Sequence, residues 1–271
     1  MNIISSKDNE LVKSVKKLKE KKYRDLENAY IVEGIKMVKE AIMEKASIRQ
    51  IILCDDCEKS DSISKELMYE IAKYDCVSVT AKVFKYITEV QTPQGVLAVV
   101  EKKSNKYDID YNDDIIVALD DVQDPGNLGT ILRTLDSGGI KQVIVSKKTA
   151  DAYNPKVVRS TMGAIFRINI IESDDLEKTL KEIRKNKFKI VVSSLQTNNS
   201  IYDIDYKKKV IVVGNEANGV EKNIQEMADE KIKIPMLGKT ESLNASVATG
   251  IISKIRKIRK RKKDENAYSY G

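Results

Sequence analysis

Residues 115–135 read Ile-Ile-Val-Ala-Leu-Asp-Asp-Val-Gln-Asp-Pro-Gly-Asn-Leu-Gly-Thr-Ile-Leu-Arg-Thr-Leu. The unbroken apolar run Ile115 to Leu119 is the signature of a parallel strand covered on both faces. A Pro-Gly turn follows, and then Leu128, Ile131, Leu132 and Leu135 recur at the spacing of one helix face. The same alternation continues downstream. Strands are expected at Val143 to Val145, Ile168 to Ile171, Phe188 to Val192, Val210 to Val213 and Lys231 to Ile234. Helices are expected around Lys156 to Ala164, Asp174 to Asn186 and Ile224 to Ala228, with a last one carrying Val247, Ala248, Ile251, Ile252, Ile255 and Ile258. Strands alternating with helices make a mainly parallel, Rossmann-like α/β sheet.

Working upstream, a second and smaller alternation runs through Ala29 to Val32, Ile48 to Leu53, Val77 with Val79, and Val96 to Val100, with helix-spaced apolar residues between them. It reads as a small α/β layer domain. Residues 101–114 are polar, charged and nearly free of aliphatic side chains, the composition of a linker. The expected organisation is therefore a basic N-terminal helix plus α/β domain over 1–100, a linker over 101–114, the larger α/β domain over 115–260 and a polar tail over 261–271.

The 271 residues are 41% apolar and 33% charged, with few glycines and prolines, which excludes fibrous and disordered classes. No histidine is present. Ser-His-Asp and Cys-His triads, histidine shuttles and histidine-bearing zinc sites are thereby excluded, and no metal is expected. Cys54, Cys57 and Cys76 are too few for a closed zinc site, and the Cys54-x-x-Cys57 pair ends an apolar run instead of opening a helix. With no apolar leader and no bilayer-length run, the expected compartment is a reducing cytoplasm, away from membranes.

Charge is concentrated at the two ends. Residues 1–24 carry +5 and residues 254–271 carry +6, leaving the body at −4 within the overall +7. Two basic ends on a mildly acidic body suit a polyanion, and RNA, DNA and an anionic membrane all satisfy that pattern.

Three loops stand just past strand ends, where parallel sheets hold ligands. The first, Asp120 to Gly129, has Asn127 placed to cap the following helix, with Arg133 beyond it on that helix and off the leucine face. The second is Gly214-Asn215-Glu216-Ala217-Asn218-Gly219, where Gly214 permits close approach and Asn218-Gly219 favours a positive-φ turn. The third runs from Ile234-Pro235-Met236 through Ser242-Leu243-Asn244 into a helix thinned by Ala245, Ser246 and Ala248. Neither a dinucleotide fingerprint nor a phosphate-binding P-loop is present.

Asn127-x-Gly129-x-x-x-Arg133, Gly214-Asn215-Glu216-x-x-Gly219, and Ile234-Pro235-Met236 with Ser242-Leu243-Asn244-x-Ser246-Val247-Ala248 together resemble the motifs of the SpoU/TrmH-type RNA 2′-O-ribose methyltransferases of the SPOUT class. Val32-Glu33-Gly34 and Thr92-Pro93-Gln94-Gly95-Val96 resemble that family's N-terminal ribosomal-protein-like substrate-binding domain. The resemblance implies a C-terminal trefoil knot and S-adenosylmethionine held by Gly214, Ile234, Met236 and Leu243. It also implies a ribose 2′-hydroxyl as nucleophile, with Arg133, Asn127, Glu216, Ser242 and Asn244 as the catalytic set. Arg133 either accepts the proton or holds a phosphate and stabilises the alkoxide; guanidinium groups keep their protons in proteins, which makes the first role chemically strained. The implied partners are RNA, 23S-type ribosomal RNA ahead of transfer RNA, and a second copy of the chain in a homodimer, with neither DNA nor membrane. Two rival readings remain: a catalytically silent RNA-binding module of the same fold, and an enzyme using another nucleotide cofactor.

Overall fold

A computed structural model describes residues 3–56, 63–103, 109–215 and 217–254. They divide into two compact units, one formed by 1–104 with 151–166 and the other by 105–150 with 167–271.

In the first unit a two-residue strand β1 (Ile3–Ile4) precedes helices α1 (Glu10–Lys17) and α2 (Lys21–Glu27), strand β2 (Ala29–Glu33), α3 (Ile35–Met43), β3 (Ile48–Cys54), α4 (Lys65–Ile71), β4 (Cys76–Val79), α5 (Ala81–Ile87) and β5 (Val96–Glu101). The sheet order is β1-β4-β3-β5-β2. The β3–β4 pair is parallel, while β5 runs antiparallel to both β2 and β3. One core packs Val12, Val15 and Leu18 beside α1 with Val83, Phe84 and Ile87 of α5 over Ile31, Ile52, Leu97 and Val99. The period of α1 puts those valines on one stripe, and Asn9 caps it by accepting from Leu11 and Val12. Cys54 is buried at the end of β3 and disulfide-bonded, while Cys76 is free. Cys57 lies outside the described residues.

The two glycine-bearing segments singled out in this half meet in space. Gln94 accepts from the Ile35 N–H at 2.9 Å, and Gly34, at φ +99°, donates to the Val96 carbonyl at 3.0 Å. A side chain at Gly34 would be strained by its backbone angle and crowded by Gln94. Beside them Glu33 is buried, accepting from Thr88 Oγ1 and from the Glu89 N–H.

The second unit contains β6 (Ile115–Leu119), α6 (Pro125–Ser137), β7 (Gln142–Ser146), β8 (Asn169–Ser173), α8 (Leu176–Lys185), β9 (Lys189–Ser193), β10 (Lys209–Val213), α9 (Lys222–Glu226), β11 (Glu230–Ile232) and a last helix over 245–254. Helix α7 (Pro155–Ser160), between β7 and β8 in sequence, belongs to the first unit. The sheet order is β11-β9-β10-β6-β7-β8, and every pairing is parallel. Alternate residues of the strands face opposite layers, as the pleat requires. Ile116, Ala118, Val210, Val212, Ile190 and Val192 meet Leu180 and Ile183 of α8. On the other side Ile115, Val117, Ile211 and Val213 share a small void with Thr249, Ile252 and Ser253 of the last helix.

Two boundaries differ from the sequence reading. Residues 151–166 sit with the N-terminal residues because Asp151 accepts from Nε of Arg24 at 3.0 Å and Tyr153 packs on Tyr30 with ring centroids 4.8 Å apart. The stretch expected as a free linker is anchored at its far end, where Ile109 and Tyr111 are half-buried against the second core. The basic tail lies outside the described residues. Among the described residues no helix is long and apolar enough to cross a membrane.

Candidate active site

Strands β6 and β10 lie in register with Leu119 opposite Val213, so the loops that follow them leave the sheet side by side. From this pair the order runs outward to β7 and β8 on one side and to β9 and β11 on the other. Divergence of that kind at the carboxyl edge of a parallel sheet opens a crevice.

The loop after β6 turns sharply at Asp121, which holds φ 57°. Its N–H and carboxylate both engage the Ser146 hydroxyl, at 2.9 and 2.7 Å. Asp120 and Asp121 point apart: the buried Asp120 carboxylate accepts the Glu221 N–H at 2.7 Å. Burial raises the Asp120 pKa, the Glu221 N–H lowers it, and Asp121 and Glu221 raise it again. Helix α6 starts three residues earlier than expected. Pro125 occupies its first turn, and Asp124, not Asn127, is the cap, accepting from the Asn127 N–H at 2.7 Å. The Asn127 carboxamide oxygen instead accepts from Nδ2 of Asn244 at 3.0 Å.

After β10 the chain closes on itself. Asn215 and Gly219 exchange backbone hydrogen bonds of 3.0 and 2.9 Å, and Gly219 takes φ +69°. A Cβ on Gly214 would lie 2.2 Å from the Gly219 carbonyl carbon and 2.3 Å from the Val220 nitrogen. The close approach that demands glycine here comes from the turn's own backbone.

Beyond β11 the third segment leads to Asn244, which caps the last helix by accepting the Ser246 N–H at 2.9 Å and its hydroxyl at 2.6 Å. Thinness of this helix lets it approach α6 closely. A Cβ on Gly250 would stand 3.3 Å from Cγ2 of Thr134, and one on Gly138 3.2 Å from Cβ of Ser253.

Between the second and third segments lies a cavity of about 440 Å³. Gly214, Ile234, Met236 and Leu243 all line it, as does Ser242, with Ala245 and Ala248 of the last helix forming part of its wall. The sequence reading missed a further contributor, Ser193 at the end of β9 with Ser194 to Gln196 just after it. Its signal was the position itself, a polar stretch following a parallel strand. Asn127 and Asn244 form a bonded pair outside the cavity lining. Arg133 is exposed on α6 and also stands outside that lining. Glu216 lies outside the described residues.

Comparison with known proteins decides the family. Residues 114–254 match the family described as SpoU rRNA Methylase, and residues 9–98 match the MRM3-like substrate binding domain. The chain belongs to the SpoU rRNA methylase family. This SpoU methylase is 31% identical over 253 residues, 93% of its length and 98% of the relative's, to the 23S rRNA (guanosine(2553)-2′-O)-methyltransferase RlmP of Bacillus subtilis (strain 168). It is 34% identical over 165 residues, 58% of its length and 67% of the relative's, to the 23S rRNA (guanosine-2′-O-)-methyltransferase RlmB of Bordetella pertussis (strain Tohama I / ATCC BAA-589 / NCTC 13251). Its fold resembles the AdoMet-bound rRNA methyltransferase of Sinorhizobium meliloti, with a TM-score of 0.82, 29% identity and coverage of 95% and 98% of the two chains.

Proposed function

We propose that this SpoU methylase transfers a methyl group from S-adenosylmethionine to a ribose 2′-hydroxyl of ribosomal RNA. The observation that carries the reading is the cavity walled by the segments after β9, β10 and β11. Its volume lies within the about 300–1,000 Å³ of small-molecule sites. Leu243, Ile234 and Met236 offer apolar surface to a nucleobase and to the carbon chain beside a sulfonium, while Gln196, Asn215 and Glu241 add polar groups. The lining therefore fits the cofactor, with Gly214, Ile234, Met236 and Leu243 holding it. Bound there, S-adenosylmethionine supplies a methyl carbon made electrophilic by its sulfonium, so the chain needs no metal.

The protein's own task is to position the hydroxyl and manage its proton. In this reading Asn127, Ser242, Asn244 and Glu216 orient the ribose. Arg133 holds a phosphate and stabilises the developing alkoxide, a role suited to an exposed guanidinium. Threading of the last segment into a trefoil knot belongs to the same reading; the Asn244–Asn127 bond and the packing of Ser253 on Gly138 support it. So does pairing of two copies: Val247 on the last helix and Leu237 beside the cavity are apolar and exposed. We place the enzyme in the cytoplasm with its substrate, and 23S-type RNA ahead of transfer RNA.

Calorimetric titration with S-adenosylmethionine, followed by tritiated methyl transfer to ribosomal RNA and ribose-methylation mapping in deletion and parent strains, tests the proposal. Cofactor uptake with transfer to one ribose supports it. Uptake without transfer to any RNA favours the silent RNA-binding module. Light scattering of the purified chain tests the dimer.

A further inference from the structure

The turn Gly214 to Gly219 supplies much of the cavity wall, with Gly214, Asn215, Ala217, Asn218, Gly219 and Val220 all lining it. Three bonds from the end of β6 hold it in place. The Asp120 N–H donates to the Val213 carbonyl at 2.9 Å, just before the turn, and the Asp120 carboxylate accepts the Glu221 N–H at 2.7 Å, just after it. Between them Nδ2 of Asn215 donates to the Asp121 carbonyl at 2.9 Å. The oxygen of the same carboxamide accepts the Ala217 and Asn218 N–H groups at 2.8 and 3.1 Å. One side chain thus closes the turn internally and ties it to the neighbouring loop.

We infer that Asp120 and Asn215 are positioning residues for the methyl-transfer site, which clamp the 214–219 turn against the β6 loop and so set the shape of the cofactor cavity. The inference rests on the proposed function for the identity of the ligand. Asp120 is 2% exposed, too buried to reach a bound molecule directly, and Lys148 pairs with the neighbouring Asp121 and Glu221, each at 3.2 Å. The clamp works through hydrogen-bond acceptance and not through charge on Asp120. An amide of the same shape can therefore replace the carboxylate, whereas an apolar side chain leaves the Glu221 N–H without its acceptor.

The test compares Asp120→Asn, Asp120→Leu and Asn215→Ala in the full chain by calorimetry with S-adenosylmethionine, RNA binding at fixed salt, and amide hydrogen exchange of the protein alone. Asp120→Asn is expected to keep cofactor affinity within about threefold, while Asp120→Leu and Asn215→Ala weaken it by about tenfold or more, the scale of one lost hydrogen bond or several. RNA affinity stays at the parent value, and exchange quickens over 214–221 in the last two variants. Parent-like cofactor affinity and parent-like exchange in folded Asn215→Ala and Asp120→Leu would overturn the inference. If Asp120→Leu does not fold, Asn215→Ala decides alone. If the parent itself takes up no cofactor, the functional reading fails, and exchange over 214–221 still judges the clamp.

Discussion

Asn127 and Asn244, 117 residues apart in the chain, join their carboxamides in a 3.0 Å hydrogen bond. Asn244 caps the last helix as well, so one side chain both starts that helix and fastens it to α6. Asn244→Ala removes a cap worth about 0.5–2 kcal/mol and a cross-helix bond worth about 0.5–1.5 kcal/mol. Asn127→Ala removes the cross-helix bond and leaves the Asn244 cap in place. Denaturant unfolding of both singles and the double is expected to give a coupling energy of about 1 kcal/mol. Strict additivity would show that the bond contributes nothing to stability.

Arg133 is exposed on α6 and outside the cavity lining. Arg133→Ala is therefore expected to shift stability by no more than about 0.5 kcal/mol. Cofactor affinity should stay within a few-fold of the parent, while methyl transfer falls by about 10²-fold or more, as when a stabilising donor to a developing oxyanion is lost. Single-turnover transfer on saturating RNA reads this directly. Unchanged transfer removes Arg133 from the mechanism.

Arg24 is 2% exposed and satisfies the Leu18 and Lys19 carbonyls at 2.8 and 2.6 Å as well as Asp151. Deleting one partner of such a pair strands a buried charge. Asp151→Ala is expected to cost about 3–5 kcal/mol, more than a surface ion pair contributes. Urea unfolding of this variant is expected to show the loss, and a change below about 1 kcal/mol would mean the guanidinium has found water or another acceptor.

The parallel sheet was legible because its strands are short apolar runs with no competing period, and Ile115 to Leu119 is recovered residue for residue in β6. The cavity residues Gly214, Ile234, Met236 and Leu243 were legible only as motif positions; what places them together is the pairing of β9 with both β10 and β11, long-range pairings that no local pattern encodes. Asn127 was misread as a cap because two acceptor-bearing residues three apart compete for that role, and the adjacent Pro125 decides it in favour of Asp124. The return of residues 151–166 to the N-terminal unit left no trace in composition. It depends on Arg24 finding Asp151, two charges that read locally as solvent-facing.

Two titratable groups of the first unit give stability an unusual dependence on pH. Burial raises the pKa of Glu33 above its ordinary value, against the opposing pull of Thr88, the Glu89 N–H, Arg159 and Lys19. A carboxyl whose folded pKa exceeds its unfolded value takes up a proton on folding. Its contribution is fully present below the unfolded value near about 4.3 and is lost as pH rises through the folded one. Lys19, which donates to the Thr88 carbonyl at 2.6 Å, is lowered to about 8, first by burial and then by Lys16. It releases a proton on folding, so the penalty for burying its charge is full below about 8 and is relieved as pH rises from there towards 10.5. Glu33→Gln is therefore expected to gain on the parent as pH rises from the acid side to neutrality. Lys19→Met is expected to lose the parent's rise in stability between pH 8 and 10. Urea midpoints of parent and variants across that range measure both slopes. A parent curve that is flat above pH 8, or one that Lys19→Met leaves unaltered, would place the Lys19 amine in water in both states.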